Sequence, residues 1–60
     1  MSKLQRFRQS EKLSRSEISN ILEVSESYYI KIELGIRNPS YNFLTKFKTK
    51  FNCVVDDIFF

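Results

Sequence analysis

Only Glu23-Val24-Ser25 separates a helical run ending at Leu22 from the next helical run. A connection that short forces the two helices to cross steeply, and the rest of the chain has to pack around that crossing. The runs are marked by capping signals. Ser14-Arg15-Ser16-Glu17 is a capping box, a Ser N-cap with Glu three residues on, and Ile18, Ile21 and Leu22 follow at helical spacing. Ser25 caps the next helix, with Glu26 in the first turn, where the helix dipole favours an anion. That helix closes at Gly35, the only glycine, in a left-handed position. Upstream, Ser2-Lys3-Leu4-Gln5 also fits a capping box, and Leu4, Phe7, Arg8 and Glu11 share a helical face. Downstream, Ser40 caps a fourth helix just after Pro39, with Tyr41, Leu44, Phe47 and Phe51 as its apolar positions. A final turn or two, Val55 to Phe59, opens on Asp56 and Asp57. No period-two alternation is long enough for a strand. The expected fold is all-α, in five helices.

Size narrows the choice further. The 60 residues make a single small domain, 1–60. A chain of that length buries only about 60% of its unfolded surface, so its stability is marginal. Cys53 is the only cysteine and there is no histidine, so neither a disulfide nor a metal site is expected to staple it. No apolar run of about 18 residues suggests a membrane span, and MSKLQRFRQ lacks the apolar core of a signal peptide. The expected location is cytoplasmic, at the nucleoid. Net charge is +3 and the pI about 9.2, which suits nucleic acid without requiring it.

At about 100° per residue, the third helix sorts into faces. Tyr29, Ile32 and Glu33 point one way, and Ser27, Lys31 and Leu34 the other. Tyr28 flanks one edge, and Glu26 and Ile30 the other. The inward face thus carries a glutamate, and a buried carboxylate needs a partner. Arg8, beside Phe7 on the first helix, is the candidate. The outward stripe is polar and begins at the helix N-terminus, which suits entry into a DNA major groove.

The chain resembles the phage-repressor and Cro-like helix-turn-helix family, also called the XRE family. The match runs through Leu4, Phe7 and Arg8, then Leu13-Ser14, Glu17-Ile18, Val24-Ser25, Ile32-Glu33 and Gly35. It continues through Arg37, Pro39-Ser40, Phe51 and Asp57-Ile58-Phe59, and so covers essentially the whole chain. The resemblance implies a lambda-repressor-like fold of five helices, with the helix-turn-helix at about 14–34 reading DNA, usually as a two-fold dimer. It also places Arg8 and Glu33 where such proteins commonly have a buried salt bridge. Three positions depart from the pattern. Ser19 stands where Ala is usual, Glu23 stands at the usual turn glycine, and Glu26 stands where Gln or Arg often opens the reading helix. Glu23 is therefore expected to adopt a left-handed conformation at a cost.

Site assignments follow. Ser27 and Lys31 are the expected base-edge readers, Lys31 toward guanine O6/N7, and Glu26 can accept from cytosine N4. The alternative for Glu26 is to stabilise the helix N-terminus or to orient Arg15. Arg15, Ser25, Tyr28 and Arg37 are the expected DNA-backbone contacts, with Arg15 alternatively bridging to the reading helix. Tyr29 and Cys53 read as core residues. Lys46, Lys48 and Lys50 alternate on helix four and read as a solvated face.

No nucleophile–base pair and no glycine-rich phosphate loop stand out, so no enzymatic activity, cofactor, metal or small-molecule ligand is expected. The expected function is sequence-specific transcriptional regulation, more specifically repression from a palindromic operator. Ile58, Phe59 and Phe60 are the expected homodimer interface, with help from Phe43 and Tyr41. The competing arrangement folds Phe59 back onto its own core and leaves a monomer. A different class of function, an antitoxin- or inhibitor-like protein-binding module, is suggested by Ile21, Ile30 and Ile36, which stand where polar residues are common.

Overall fold

The computed structural model describes residues 2–53 and 55–59. Five helices follow one another: α1 (Lys3–Ser10), α2 (Arg15–Ile21), α3 (Glu26–Glu33), α4 (Tyr41–Phe51) and α5 (Asp56–Phe59), with no strand among the described residues. The all-α fold expected from the capping signals is the fold found.

Local chemistry starts each of the first four helices. Ser2, Ser14, Ser25 and Ser40 are extended N-caps, and each hydroxyl accepts from the backbone N–H three residues on. Only the box at Ser14 is reciprocal, with Glu17 Oε1 accepting from the Ser14 N–H at 2.8 Å. At Ser2 the hydroxyl half is made, and the return bond expected from Gln5 is not found. Gln5, unlike Glu17, carries no charge to be drawn to the helix N-terminus.

The first three helices also stop alike. Beyond each C-cap comes a left-handed residue: Lys12 at φ 57°, Glu23 at φ 60° and Gly35 at φ 77°. The N–H groups of Leu13, Val24 and Ile36 then reach back to the carbonyls of Arg8, Ser19 and Lys31 at 3.2, 3.0 and 2.9 Å. This is the Schellman arrangement, which satisfies carbonyls that a helix end would orphan. Only the third uses glycine. At Lys12 and Glu23 the left-handed conformation costs roughly 1–2 kcal/mol each. Leu13 and Val24, the residues after these stops, are half-buried against the core and help offset that strain. A Cβ on Gly35 would meet nothing within 4 Å, so glycine there answers to φ alone. Asn52 ends α4 in the same region at φ 51°.

Leu4, Ile18, Leu22, Tyr29, Ile32, Phe43 and Phe47 form the core. It is held largely by aromatic rings. Phe47 packs on Phe7 at 5.1 Å, Phe51 at 5.0 Å and Phe59 at 5.2 Å between centroids. Phe43 packs on Tyr28 at 6.0 Å and on Phe59 at 5.8 Å, both edge to face. Such pairs contribute about 0.5–1.5 kcal/mol each beyond area burial.

The inward face of α4 differs from expectation. Phe43, expected to assist a subunit contact from the surface, is only 1% exposed, whereas Tyr41, expected among the apolar positions, is 82% exposed. The buried ridge runs Phe43–Phe47–Phe51 at i, i+4, i+8, and Leu44 lies half-buried beside it. Apolar residues at 41, 43, 44, 47 and 51 fit more than one helical phase. The rings of Tyr28 and Phe59 settle which phase is buried.

Candidate nucleic-acid interface

The interface is organised from its interior. Glu33 ends α3 with its side chain 1% exposed, and four donors converge on its carboxylate. Oε2 accepts from Arg8 Nε at 2.9 Å and from the Tyr29 hydroxyl at 2.7 Å. Oε1 accepts from Arg15 Nε at 3.1 Å and from Arg8 Nη2 at 3.3 Å. Arg8 Nη1 also donates to the Leu13 carbonyl at 2.9 Å, which ties the α1–α2 connection to the same centre. One carboxylate therefore joins α1, α2 and α3. Among the described residues no buried side-chain polar atom lacks a partner. Burial alone would raise the Glu33 pKa, but the bonds from Arg8, Tyr29 and Arg15 outweigh it and hold the carboxyl below its ordinary value. Burial, then the bond to Glu33, pushes the Tyr29 phenol well above its own. Tyr29 is thus a neutral donor and Glu33 a charged acceptor.

The two arginines play different parts. Arg8 is nearly enclosed, whereas the Arg15 side chain is 40% exposed. Arg15 uses Nε toward Glu33, and its terminal nitrogens make no hydrogen bond among the described residues. Its bridge to α3 therefore runs to Glu33. The expected alternative, orientation by Glu26, is not found, because Glu26 makes no ion pair among the described residues. Glu33 accepts Arg15 from within the core, while Glu26 lies on the exposed surface of α3.

A second cluster forms where α3 meets the α3–α4 connection. The Tyr28 hydroxyl accepts from the Ser40 N–H at 3.2 Å. The Arg37 guanidinium carbon lies 4.9 Å from the centroid of the Tyr28 ring, a cation–π contact. The bond from Ser40, helped by Arg37, lowers the Tyr28 pKa. A phenol that accepts from a backbone amide still has its own proton to donate. Tyr28 and Arg37 thus present donors together.

Ser27 and Lys31 are exposed along α3, and Glu26 is exposed in its first turn. The Ser25 oxygen caps the helix by accepting from Tyr28 N at 3.1 Å. Ile58 and Phe59 are half-buried, Phe59 against Phe43 and Phe47. Phe60 lies outside the described residues. Sequence reasoning missed the Tyr29–Glu33 bond, although their i, i+4 spacing and the need of a buried phenol for a partner signal it. It also missed the stacking of Arg37 on Tyr28, which no helical periodicity encodes.

α2 and α3, two short helices joined by the tight turn at Glu23–Ser25 and set on three further helices, form a helix-turn-helix unit. The family model described as Helix-turn-helix matches residues 4–56. The chain belongs to that family, in its Cro/C1-type branch. No curated protein and no solved structure matches the chain. No helix among the described residues is long and apolar enough to cross a membrane.

Proposed function

We propose that the protein is a transcriptional repressor that reads a palindromic operator as a homodimer, with α3 in the major groove. The carrying observation is the division of labour around α3. Ser27, Lys31 and Glu26 are exposed for base edges, while Arg15, Ser25, Tyr28 and Arg37 ring them with donors suited to phosphates. Lys31 pairs with guanine O6/N7, and Glu26 accepts from cytosine N4. Binding fragments selected from a random duplex pool would return the site, its symmetry and its spacing together.

On a selected site, Lys31→Ala and Ser27→Ala are expected to change which sequences are preferred. Arg15→Ala and Arg37→Ala are expected to weaken binding to all sequences. Each should flatten the dependence of log K on log salt by about 0.9 for a lost phosphate contact. Titrations on matched and scrambled duplexes at several salt concentrations separate the two effects. If Lys31→Ala weakens both duplexes equally, Lys31 is a backbone contact.

The homodimer is proposed through α5, with the half-buried Ile58 and Phe59 and with Phe60 contributing, and with the exposed Tyr41 of α4 as a further apolar contact. Two-fold symmetry would set the reading helices about 34 Å apart, one DNA turn. A Tyr41→Ser, Ile58→Ser variant is expected to sediment as a monomer and to lose the preference for a palindrome over a single half-site. A parent that stays monomeric at high concentration and binds a half-site as well as a palindrome would exclude the dimer.

A second reading, a protein-binding module of the antitoxin or inhibitor kind, is favoured by the exposed Ile21, Ile36 and Tyr41. It differs in one measurement. Such a module shows little DNA binding at any salt, whereas a DNA reader loses affinity steeply as salt rises.

A further inference from the structure

We infer that Leu34, with Ile30 beside it, reads the 5-methyl groups of thymines in the major groove. The inference rests on α3 being the DNA-reading helix, and it names part of the sequence that helix prefers.

Leu34 is the C-cap of α3 and is 59% exposed. At about 100° per residue, Ser27, Lys31 and Leu34 fall within about 60° of one another. Leu34 therefore prolongs the polar stripe formed by Ser27 and Lys31. Ile30 is half-buried and lies one turn before Leu34, so their side chains are neighbours. Neither residue is among those that pack on the core cluster, unlike Tyr28 on the same helix. Leu34 is thus a largely exposed aliphatic on the outward side of α3, with the half-buried Ile30 at its edge.

The groove supplies what they lack. The thymine methyl is the apolar feature of base edges in the major groove, and aliphatic side chains recognise it by contact. Helical rise places Leu34 about 10 Å from Ser27 along the axis. That is about three base pairs at roughly 3.4 Å each. Lys31 lies between them on the same stripe. The preferred half-site is then a guanine met by Lys31, with one or two thymines toward the end of α3 met by Leu34 and Ile30.

The test uses the duplex selected by the intact protein. Each thymine in it is replaced in turn by deoxyuridine, which removes the methyl and leaves the pairing unchanged. At the contacted positions, parent affinity is expected to fall about fourfold per methyl, the value of one buried methyl-sized group. Leu34→Ala, a surface change whose melting should match the parent, is expected to bind the thymine and uracil duplexes equally at its position. Ile30→Ala should do the same at the neighbouring one. If uracil is tolerated everywhere by the parent, or if Leu34→Ala and Ile30→Ala keep the parent's discrimination, the inference is overturned while the DNA-reading function stands. If the pool yields no preferred duplex, the DNA-reading function itself falls and takes the inference with it.

Discussion

Glu33→Gln is expected to destabilise the domain by about 3–5 kcal/mol, the usual effect of breaking a buried ion pair from one side. Glutamine keeps the shape and can still accept from Tyr29, but it leaves the enclosed Arg8 guanidinium without a counter-charge. A domain of this size holds only about 3–9 kcal/mol in total, so the variant would sit at the edge of folding. The corresponding fall in Tm is roughly 12 °C or more. Arg8→Met removes the other partner and should act in the same direction. The parent also carries a pH signature. The Glu33 pKa is lowered in the folded state, chiefly by Arg8 working against burial, while the unfolded carboxyl titrates near about 4.3. The ion-pair contribution is therefore complete above that value and is lost as pH falls through the lower folded pKa. Glu17 is also lowered, by the Ser14 backbone bond of its capping box. Glu33→Gln should thus reduce the acid sensitivity without abolishing it. Thermal melts of parent and variant between pH 3 and pH 7 give both readouts. If Glu33→Gln melts like the parent at neutral pH, the four-donor centre is not what holds α1, α2 and α3 together.

Phe43→Ala is expected to be comparably severe, at about 3–5 kcal/mol for an aromatic removed from a closed core. The ring is 1% exposed and meets Tyr28, Tyr29, Phe47 and Phe59. Its loss would leave a cavity bordered by α3, α4 and α5. Circular dichroism should show helix lost at temperatures where the parent is folded. A subunit contact at Phe43 gives the opposite pattern: a variant that melts near the parent at low concentration and changes only its sedimentation. That second pattern would move Phe43 out of the core.

The sequence makes legible whatever is settled within a few residues. Ser2, Ser14, Ser25 and Ser40 are recognisable as caps because a hydroxyl three residues before an amide is local chemistry. Gly35 is recognisable as a stop because glycine tolerates a left-handed backbone. That Glu33 points inward follows from helical periodicity, and its need of a partner from the cost of a buried charge, while the choice of Arg8 leans on the family resemblance. What periodicity leaves open is phase and distance. On α4 the apolar residues spread over about 160° at about 100° per residue, with Phe43 and Tyr41 at the two edges of the arc, and the packing of Tyr28 and Phe59 decides which edge is buried. Lys12 shows no sign of its left-handed stop, because its side chain has no preference for that region. Arg15 joining Glu33 and Arg37 lying over Tyr28 depend on the approach of separate helices and loops.

The convergence of Arg8, Arg15 and Tyr29 on Glu33 bears on how a bound duplex would have to behave. α3, tied by one carboxylate to both helices before it, has little freedom to tilt or slide against them. In the proposed complex the protein stays rigid and the duplex adapts. Base steps that bend or twist at low energetic cost would then be favoured even where no side chain reaches them. Part of the operator's sequence would be written in the stiffness of the DNA rather than in its hydrogen-bonding edges.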